Sequence, residues 1–147
     1  EWRFFDEDLT VWTTPGWLMK MGREHQVPIS RQARVVLRNI EALNGDRTHL
    51  FDKPRNSSGV ICENAARLLV KRFDETITGH GFRASFNTWA TEWMDYDHQA
   101  VELSLAHARG KLDEAYQRAH LLPKRVPIMQ DWADFVTSGE DPRSFTE

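Results

Sequence analysis

Several features that would assign the chain to a class are scarce or missing. Cysteine occurs once, at Cys62, so no disulfide can form within the chain and a reducing compartment is the expected setting. No run approaches the roughly 18 apolar residues of a membrane-spanning helix, and no basic and apolar leader of the secretory kind opens the chain. The 147 residues are therefore expected to form one globular domain without a membrane span.

Positive charge is also in deficit. The 19 lysines and arginines are outnumbered by 22 aspartates and glutamates, which gives a net charge of −3. Modules that bind nucleic acid are usually basic, so composition alone does not indicate DNA. The distribution is uneven, however, because residues 17–40 carry Lys20 and four arginines against the single acid Glu24. A local basic surface is therefore compatible with the negative total.

Motifs for metals and common cofactors are missing as well. The six histidines and one cysteine show no paired-ligand spacing such as His-x-x-x-His, and the acidic residues are not spaced for calcium. Neither a serine-triad signature nor a glycine-rich phosphate loop occurs. No resident metal or cofactor is therefore expected.

The first thirty residues have the composition of strands. Residues 2–5, 9–14 and 26–29 are rich in aromatic and β-branched side chains, with Pro15-Gly16 and Gly22 as turn residues between them. We expect a small three-stranded antiparallel sheet, with Lys20 in the connection between its second and third strands.

The remainder has the periodicity of helices. Ser30 is a suitable N-cap for a first helix that ends at Asn44-Gly45. After a loop over 46–61, apolar spacing predicts helices near 66–73, 82–93, 99–107, 112–119 and 124–136, followed by a polar tail over 137–147. The predicted class is α+β and mainly helical. The predicted apolar stripes are those of Ala33, Val36, Leu37, Ile40 and Leu43; Ala66, Leu69, Val70 and Phe73; Phe82, Phe86, Trp89, Ala90 and Trp93; Val101 and Leu105; and Val126, Met129, Trp132 and Ala133.

Four polar residues and a tyrosine are candidates for chemistry. His80 and Arg83 form His-Gly-Phe-Arg where the third helix begins, and a helix N-terminus beside a forked guanidinium suits a phosphate. Each candidate has an ordinary alternative: a capping loop with a surface arginine, a solvated Lys20, a His107 bonded to the last carbonyls of its helix, and a Tyr116 in the core.

Taken together and in order, these residues resemble a known family. Met19–Ser30 resembles the catalytic-lysine hairpin of the tyrosine recombinases, and Thr78–Arg83 resembles their helix-opening box. Leu105–Ala108 and Ala115–Arg118 resemble their last histidine and their nucleophile. The similarity is greatest to integrases of prophages and genomic islands, and it extends from Trp2 to about Phe135. It implies a recombinase catalytic-domain fold, with residues 1–136 as the C-terminal catalytic domain and 137–147 as the tail.

The resemblance implies a role for each residue. Tyr116 attacks the scissile phosphorus and forms a 3′-phosphotyrosyl link. Arg83 and His107 donate hydrogen bonds to the phosphate oxygens, where charge builds in the transition state. His80 assists proton transfer and positioning, and Lys20 is the general acid for the departing 5′-oxygen. The residues expected to contact DNA are Lys20, Arg23, His25 and Arg83.

The implied function is site-specific integration and excision of mobile DNA. The implied partners are double-stranded DNA attachment sites, three further copies in a homotetramer on DNA, and accessory DNA-bending or excisionase proteins. No cofactor and no membrane are involved, and the expected location is the bacterial cytoplasm in association with the nucleoid.

One departure from the family pattern matters. The family carries a further arginine box before its first strand, and here that region would precede Glu1; Arg3 lies in the strand itself and cannot replace it. The chain, which does not begin with methionine, is expected to be a fragment and to be inactive or nearly so by itself. Two alternatives stay open: a non-catalytic DNA-binding or assembly remnant of a recombinase, and a relative such as a type IB topoisomerase or a telomere resolvase.

The final predicted helix also allows two interpretations. Its apolar stripe through Trp132 suits packing within its own domain and equally suits exchange with a neighbouring protomer on DNA.

Overall fold

The computed structural model describes residues 1–44, 47–51, 61, 64–107 and 120–139, and in these ranges strands precede helices as predicted. The strands β1 (Val11–Thr14) and β2 (His25–Pro28) form an antiparallel sheet. The fold is therefore mainly helical with a small sheet, and none of the described helices is long and apolar enough to cross a bilayer. The α-helices in these ranges are α1 (Arg31–Asn44), α2 (Ala65–Lys71), α3 (Gly79–Thr88), α4 (His98–Ser104) and α5 (Leu122–Ser138).

The sheet has one strand fewer than predicted. Trp2–Phe4 form a single 3-10 turn, so the prediction of a strand over residues 2–5 is wrong. Within the described residues this segment reaches the sheet through one bridge between Phe5 and Trp12, whose stacked rings have centroids 6.1 Å apart. An aromatic pattern indicates an apolar face, but it does not distinguish a strand from a 3-10 turn.

A carboxylate-capped loop shortens the next strand. Asp6 Oδ1 accepts hydrogen bonds from the backbone N–H groups of Thr10 at 2.6 Å and Val11 at 2.9 Å. Leu9 has φ of 55°, a left-handed conformation that reverses the chain. The strand therefore begins at Val11 and not at residue 9, as the apolar run had predicted.

The beginning of α1 follows the sequence prediction. The Ser30 hydroxyl accepts a hydrogen bond from the Ala33 N–H at 3.3 Å, which is the capping geometry expected of a serine there. The helix ends at Asn44, also as predicted, and Gly45 lies outside the described residues.

The apolar faces predicted for α1 and α2 form, but most of their side chains are not covered in the described structure. Leu37 is buried, whereas Leu43 is 85% exposed and Phe73, just after α2, is 84% exposed. Burial therefore agrees with the predicted face of α1 at Leu37, whereas no residue of the face predicted for α2 is buried.

The core lies where α3, α4 and α5 meet. After Thr88 the chain continues through a π-helical turn, Trp89–Trp93, so α3 and this turn together cover the predicted third helix. Trp89 is 3% exposed and stacks on Phe135 of α5, with ring centroids 5.9 Å apart. The buried members of this core are Phe86, Trp89, Ala90, Ala100, Val101, Leu105 and Ile128.

The inner face of α5 matches the prediction at Met129, Trp132 and Ala133 but not at Val126. Ile128 is buried and Trp132 packs against the core, but Val126, predicted to be buried, is 51% exposed. At 100° per residue, Arg125 lies about 60° from Ile128 and therefore on the same face of the helix. The prediction for Val126 is wrong, and an arginine takes the inward position. The predicted helix over 112–119 lies outside the described residues.

Asp97 fastens the beginning of α4 to α5. Its Oδ1 accepts hydrogen bonds from the N–H groups of Gln99 at 2.9 Å and Ala100 at 3.2 Å. Its Oδ2 lies 2.7 Å from the Lys124 ammonium nitrogen. One side chain therefore caps α4 and forms an exposed ion pair with α5.

We predict that Asp97→Ala and Asp97→Asn differ in stability. The alanine variant loses both the cap and the ion pair and should lower the free energy of unfolding by about 1–2 kcal/mol. The asparagine variant retains a capping oxygen and loses only an exposed ion pair, so its loss should be under about 1 kcal/mol. Urea denaturation measures both values, with the exposed Glu75→Ala as a control. Equal losses for the two Asp97 variants would contradict the capping role.

Candidate functional site

Arg83 lies in the second turn of α3, and its side chain reaches the end of α4. The helix starts at Gly79 because Thr78 caps it: the Thr78 hydroxyl accepts a hydrogen bond from the Gly81 N–H at 3.0 Å. The Arg83 Nη2 donates to the Leu105 carbonyl at 2.5 Å, although the two residues are 22 positions apart in the chain. The guanidinium is therefore bound to the backbone at Leu105, which precedes His107 by two residues. Arg83 itself stays exposed.

His107 is placed by a helix-terminating Schellman motif and not by the helix itself. Ala106 has φ of 53°, its N–H donates to the Leu103 carbonyl at 3.1 Å, and the His107 N–H donates to the Glu102 carbonyl at 3.0 Å. Glycine normally occupies the left-handed position, so an alanine there gives no sequence signal. For this reason the predicted helix ran to His107, whereas α4 ends at Ser104.

The imidazole of His107 has a carboxylate partner. Its Nδ1 lies 3.1 Å from Glu102 Oε2 on the last turns of α4. A carboxylate accepts and does not donate, so Nδ1 carries the proton in this pair. The second ring nitrogen, Nε2, is the one left to serve a ligand.

Two glycines shape the connection between β1 and β2. Gly22 has φ of 66°, a conformation that other residues rarely adopt, and a Cβ on Gly16 would lie 2.5 Å from the Gly22 carbonyl oxygen. The connection can therefore fold back tightly on itself. Lys20 lies in this connection, as predicted, and is exposed.

The connection faces the end of α4 across a cavity of about 110 Å³, which we call the hairpin cavity. It brings two of the predicted DNA-contact residues together with His107. One wall consists of Met19, Met21 and residues 23–25, and the other of Leu103, Ala106, His107, His120 and Arg125.

His25 is a half-buried member of this cavity. Burial of its ring, with the nearby charges of Arg125 and His120, lowers the pKa of His25 to about 4. The ring is therefore neutral at pH 7, so it can offer a hydrogen bond there but no charge.

Arg125 is a site residue that the sequence did not indicate. It is only 1% exposed, and it donates from Nε to the Ser104 hydroxyl at 3.2 Å and from Nη1 to the His120 carbonyl at 3.1 Å. Burial lowers its pKa to about 10, which leaves the guanidinium charged at neutral pH. The one available signal was its position three residues before an apolar Ile128 on the inner face of an amphipathic helix.

The structure brings together part of the predicted catalytic set. Arg83 meets the segment that carries His107, and Lys20 lies in the connection that forms the opposite wall of the hairpin cavity. His80 is exposed in the first turn of α3, one helical turn from Arg83. Tyr116 falls in 108–119, outside the described residues.

We predict that His25 makes the free energy of unfolding depend on pH between about 4 and 6.5. Its pKa is lower in the folded chain than the ordinary value of 6.5, so the unfolded chain binds more protons in this window. Stability should be complete above about pH 6.5 and should fall by about 1–2 kcal/mol as the pH approaches 4, less than the full pKa difference would give because the ring is only half buried. His25→Gln should remove most of that fall in urea titrations.

His80→Gln, which replaces an exposed histidine, is the control and should retain the fall. Aspartates such as Asp97, whose pKa is lowered by its hydrogen bond to Lys124, also begin to lose their contribution as the pH falls toward 4, but they do so equally in both variants and cancel from the comparison. A pH profile unchanged by His25→Gln would contradict the assignment.

Comparison with known proteins agrees with the resemblance. The chain is 34% identical over 137 residues to prophage integrase IntZ of Escherichia coli K12. This alignment covers 90% of this chain and 33% of IntZ. It is 32% identical over 148 residues to prophage integrase IntA of the same organism, with 95% of this chain and 34% of that protein covered. For the integrase of Shigella phage Sf6 the identity is 32% over 140 residues, with 92% and 36% covered.

The match is to one segment of these proteins, because the chain spans about a third of their length. No family model and no solved structure matches the chain. On these similarities, which extend over at least nine-tenths of its residues, the chain belongs with the integrases of phages and prophages.

Proposed function

We propose that this chain is the catalytic segment of a tyrosine-type site-specific recombinase that integrates and excises mobile DNA. The observation that carries the proposal is the hydrogen bond from Arg83 to the Leu105 carbonyl, which joins the second turn of α3 to the segment that carries His107. It supports a phosphate site made by residues far apart in the sequence.

The proposed reaction conserves the phosphodiester energy. The Tyr116 oxygen attacks the scissile phosphorus, the bond from phosphorus to the 5′-oxygen breaks, and the phenolic proton passes to the His80 imidazole as the new phosphorus–oxygen bond forms. The departing 5′-oxygen takes a proton from Lys20. Rejoining is the reverse, with a 5′-hydroxyl attacking the phosphotyrosyl link, so the chemistry requires neither nucleotide nor metal ion.

Arg83 is well placed for the phosphate. A guanidinium has five N–H donors, and the bond to Leu105 uses one of its nitrogens. The rest of the fork can face a phosphate at the first turn of α3, where the helix dipole and the first backbone N–H groups also favour an anion. His80, one turn earlier in the same helix, is proposed to assist positioning and proton transfer.

His107 complements Arg83 from the end of α4. With Nδ1 bound to Glu102, its Nε2 donates to a phosphate oxygen when the ring carries both protons. Donors fixed in this way stabilise the charge that builds on the non-bridging oxygens.

The two tyrosines of the chain are not equally suited to nucleophilic attack. Tyr96 packs against Trp89 and donates a hydrogen bond to Asp131. Burial, followed by this bond and the Asp131 charge, raises the pKa of the Tyr96 phenol, which makes its phenolate harder to form. This supports Tyr116 as the nucleophile.

The proposed partners follow from the reaction. Double-stranded attachment sites are contacted by Lys20, Arg23, His25 and Arg83, and four protomers assemble on them with accessory DNA-bending or excisionase proteins. The basic residues of the hairpin connection and α1 give a local positive surface, despite the net charge of −3. We place this activity at the nucleoid in the bacterial cytoplasm.

We predict that Tyr116→Phe in the full-length protein abolishes the covalent protein–DNA adduct, because phenylalanine has no oxygen to attack phosphorus. DNA affinity should change by less than about threefold, since one hydroxyl is a small part of a phosphate-dominated interface. A nicked suicide duplex, resolved on a denaturing gel, measures the adduct, and Tyr96→Phe is the matched control that should still form it.

An adduct in Tyr116→Phe would contradict the nucleophile assignment. Sequence-specific DNA binding by the unmodified protein without any adduct would favour the non-catalytic remnant. In the same assay the 147-residue chain alone should leave the duplex uncut, because it spans only about a third of the length of the integrases it matches.

We predict that Arg83→Gln in the full-length protein lowers the cleavage rate about 10²–10³-fold, the usual loss for one donor to a transition-state oxyanion. Arg83→Lys should recover only part of the rate, because it restores the charge without the fork. Single-turnover cleavage measures the rates, and Arg72→Gln, at an exposed arginine just after α2, is the control. Rates within threefold for all three variants would contradict the role of Arg83.

A further inference from the structure

We propose that the hairpin cavity binds a phosphate group through the Nη2 of Arg125, and that the natural ligand is a DNA backbone phosphate beside the scissile one. The binding site itself follows from the geometry of the cavity. The identity of the ligand rests on the proposed function.

The first argument is the unfinished coordination of Arg125. Its Nε and Nη1 bind Ser104 and His120, but Nη2 is buried and has no hydrogen-bond partner in the described structure. No carboxylate pairs with this guanidinium among the described residues. A buried charged donor left unsatisfied is costly, so an anion that completes the set is strongly favoured.

The second argument is the character of the cavity walls. They contain two arginines and three histidines and a single acid, Glu24. The positive potential there is felt by His25, whose pKa is lowered by the Arg125 and His120 charges after the effect of burial. An anion is the ligand that such walls favour.

The third argument is size and place. A volume of about 110 Å³ equals that of three to four water molecules at roughly 30 Å³ each, which is room for the oxygens of one phosphate. His107 lies on this cavity and is two residues from the carbonyl that holds Arg83. The hairpin cavity is therefore connected, through residues 105–107, to the place proposed for the scissile phosphate.

A purely structural role for Arg125 makes a different prediction. The arginine ties Ser104 at the end of α4 to His120 before α5, and loss of this tie would lower stability at every ion composition. A phosphate site also makes stability depend on phosphate specifically, because a ligand that binds the folded state stabilises it.

The first test uses inorganic phosphate as the probe on the 147-residue chain. Thermal unfolding is followed as phosphate replaces sodium chloride at constant ionic strength. The melting temperature should rise in the unmodified chain and in Arg72→Gln, an exposed control, and should not respond in Arg125→Gln. Equal responses in all three, or no response in the unmodified chain, would overturn the site.

A second measurement needs no Arg125 variant and so does not depend on whether that variant folds. The ¹H–¹⁵N resonance of the Arg125 side chain in the unmodified chain should shift saturably with phosphate and not with chloride. A resonance that phosphate leaves in place would also overturn the site.

A final arm separates DNA from free phosphate. Full-length Tyr116→Phe protein is titrated with duplexes that carry one uncharged methylphosphonate at successive positions around the cleavage site. One position should lower affinity about tenfold in this protein and have no effect when Arg125→Gln is added. If no position lowers the affinity while inorganic phosphate still binds, DNA is not the ligand of the cavity. Neither result depends on whether Tyr116 forms an adduct.

Discussion

The site depends on how the chain leaves α4. In residues 104–107, the Ser104 hydroxyl accepts a hydrogen bond from Arg125 and the Leu105 carbonyl accepts one from Arg83. The backbone then turns at Ala106, which has a left-handed conformation, and His107 follows this turn. Arg83 in α3 and Arg125 in α5, each about twenty residues away in the sequence, therefore both bind this four-residue segment. The Schellman closure fixes the direction of the backbone at this point, and the two arginines hold it to α3 and α5.

Sequence patterns predicted the local structure correctly where it depends on a single residue of a characteristic type. A serine before an apolar period marked the start of α1, and the connection that holds Lys20 lies between two strands as expected. They failed where a tertiary or side-chain contact decides, as at Asp6, whose carboxylate turns the chain before it can extend into a strand. They also failed at Val126 and Arg125, because an apolar side chain on an amphipathic helix is ordinarily assigned inward and a guanidinium outward.

The candidate site was predictable to a similar degree. Arg83 and His107 came from a family resemblance, which the similarity to phage and prophage integrases supports, and the structure brings the first to the backbone beside the second. The position of His107 was not predictable from periodicity, since an alanine occupies the place where a glycine would have marked the helix end. Arg125 was missed because no pattern distinguishes a buried arginine that binds two elements from one that covers a surface with its aliphatic stem.

The attachment of Arg83 has a consequence for the cost of binding. An arginine in solution samples many rotamers, and freezing them on association costs about 0.5–1.5 kcal/mol for each such side chain. Here the guanidinium is already restrained by the Leu105 carbonyl, although the residue remains open to solvent. Side-chain entropy is therefore lost when the chain folds and not when DNA binds. An incoming phosphodiester finds the donor groups of Arg83 already oriented.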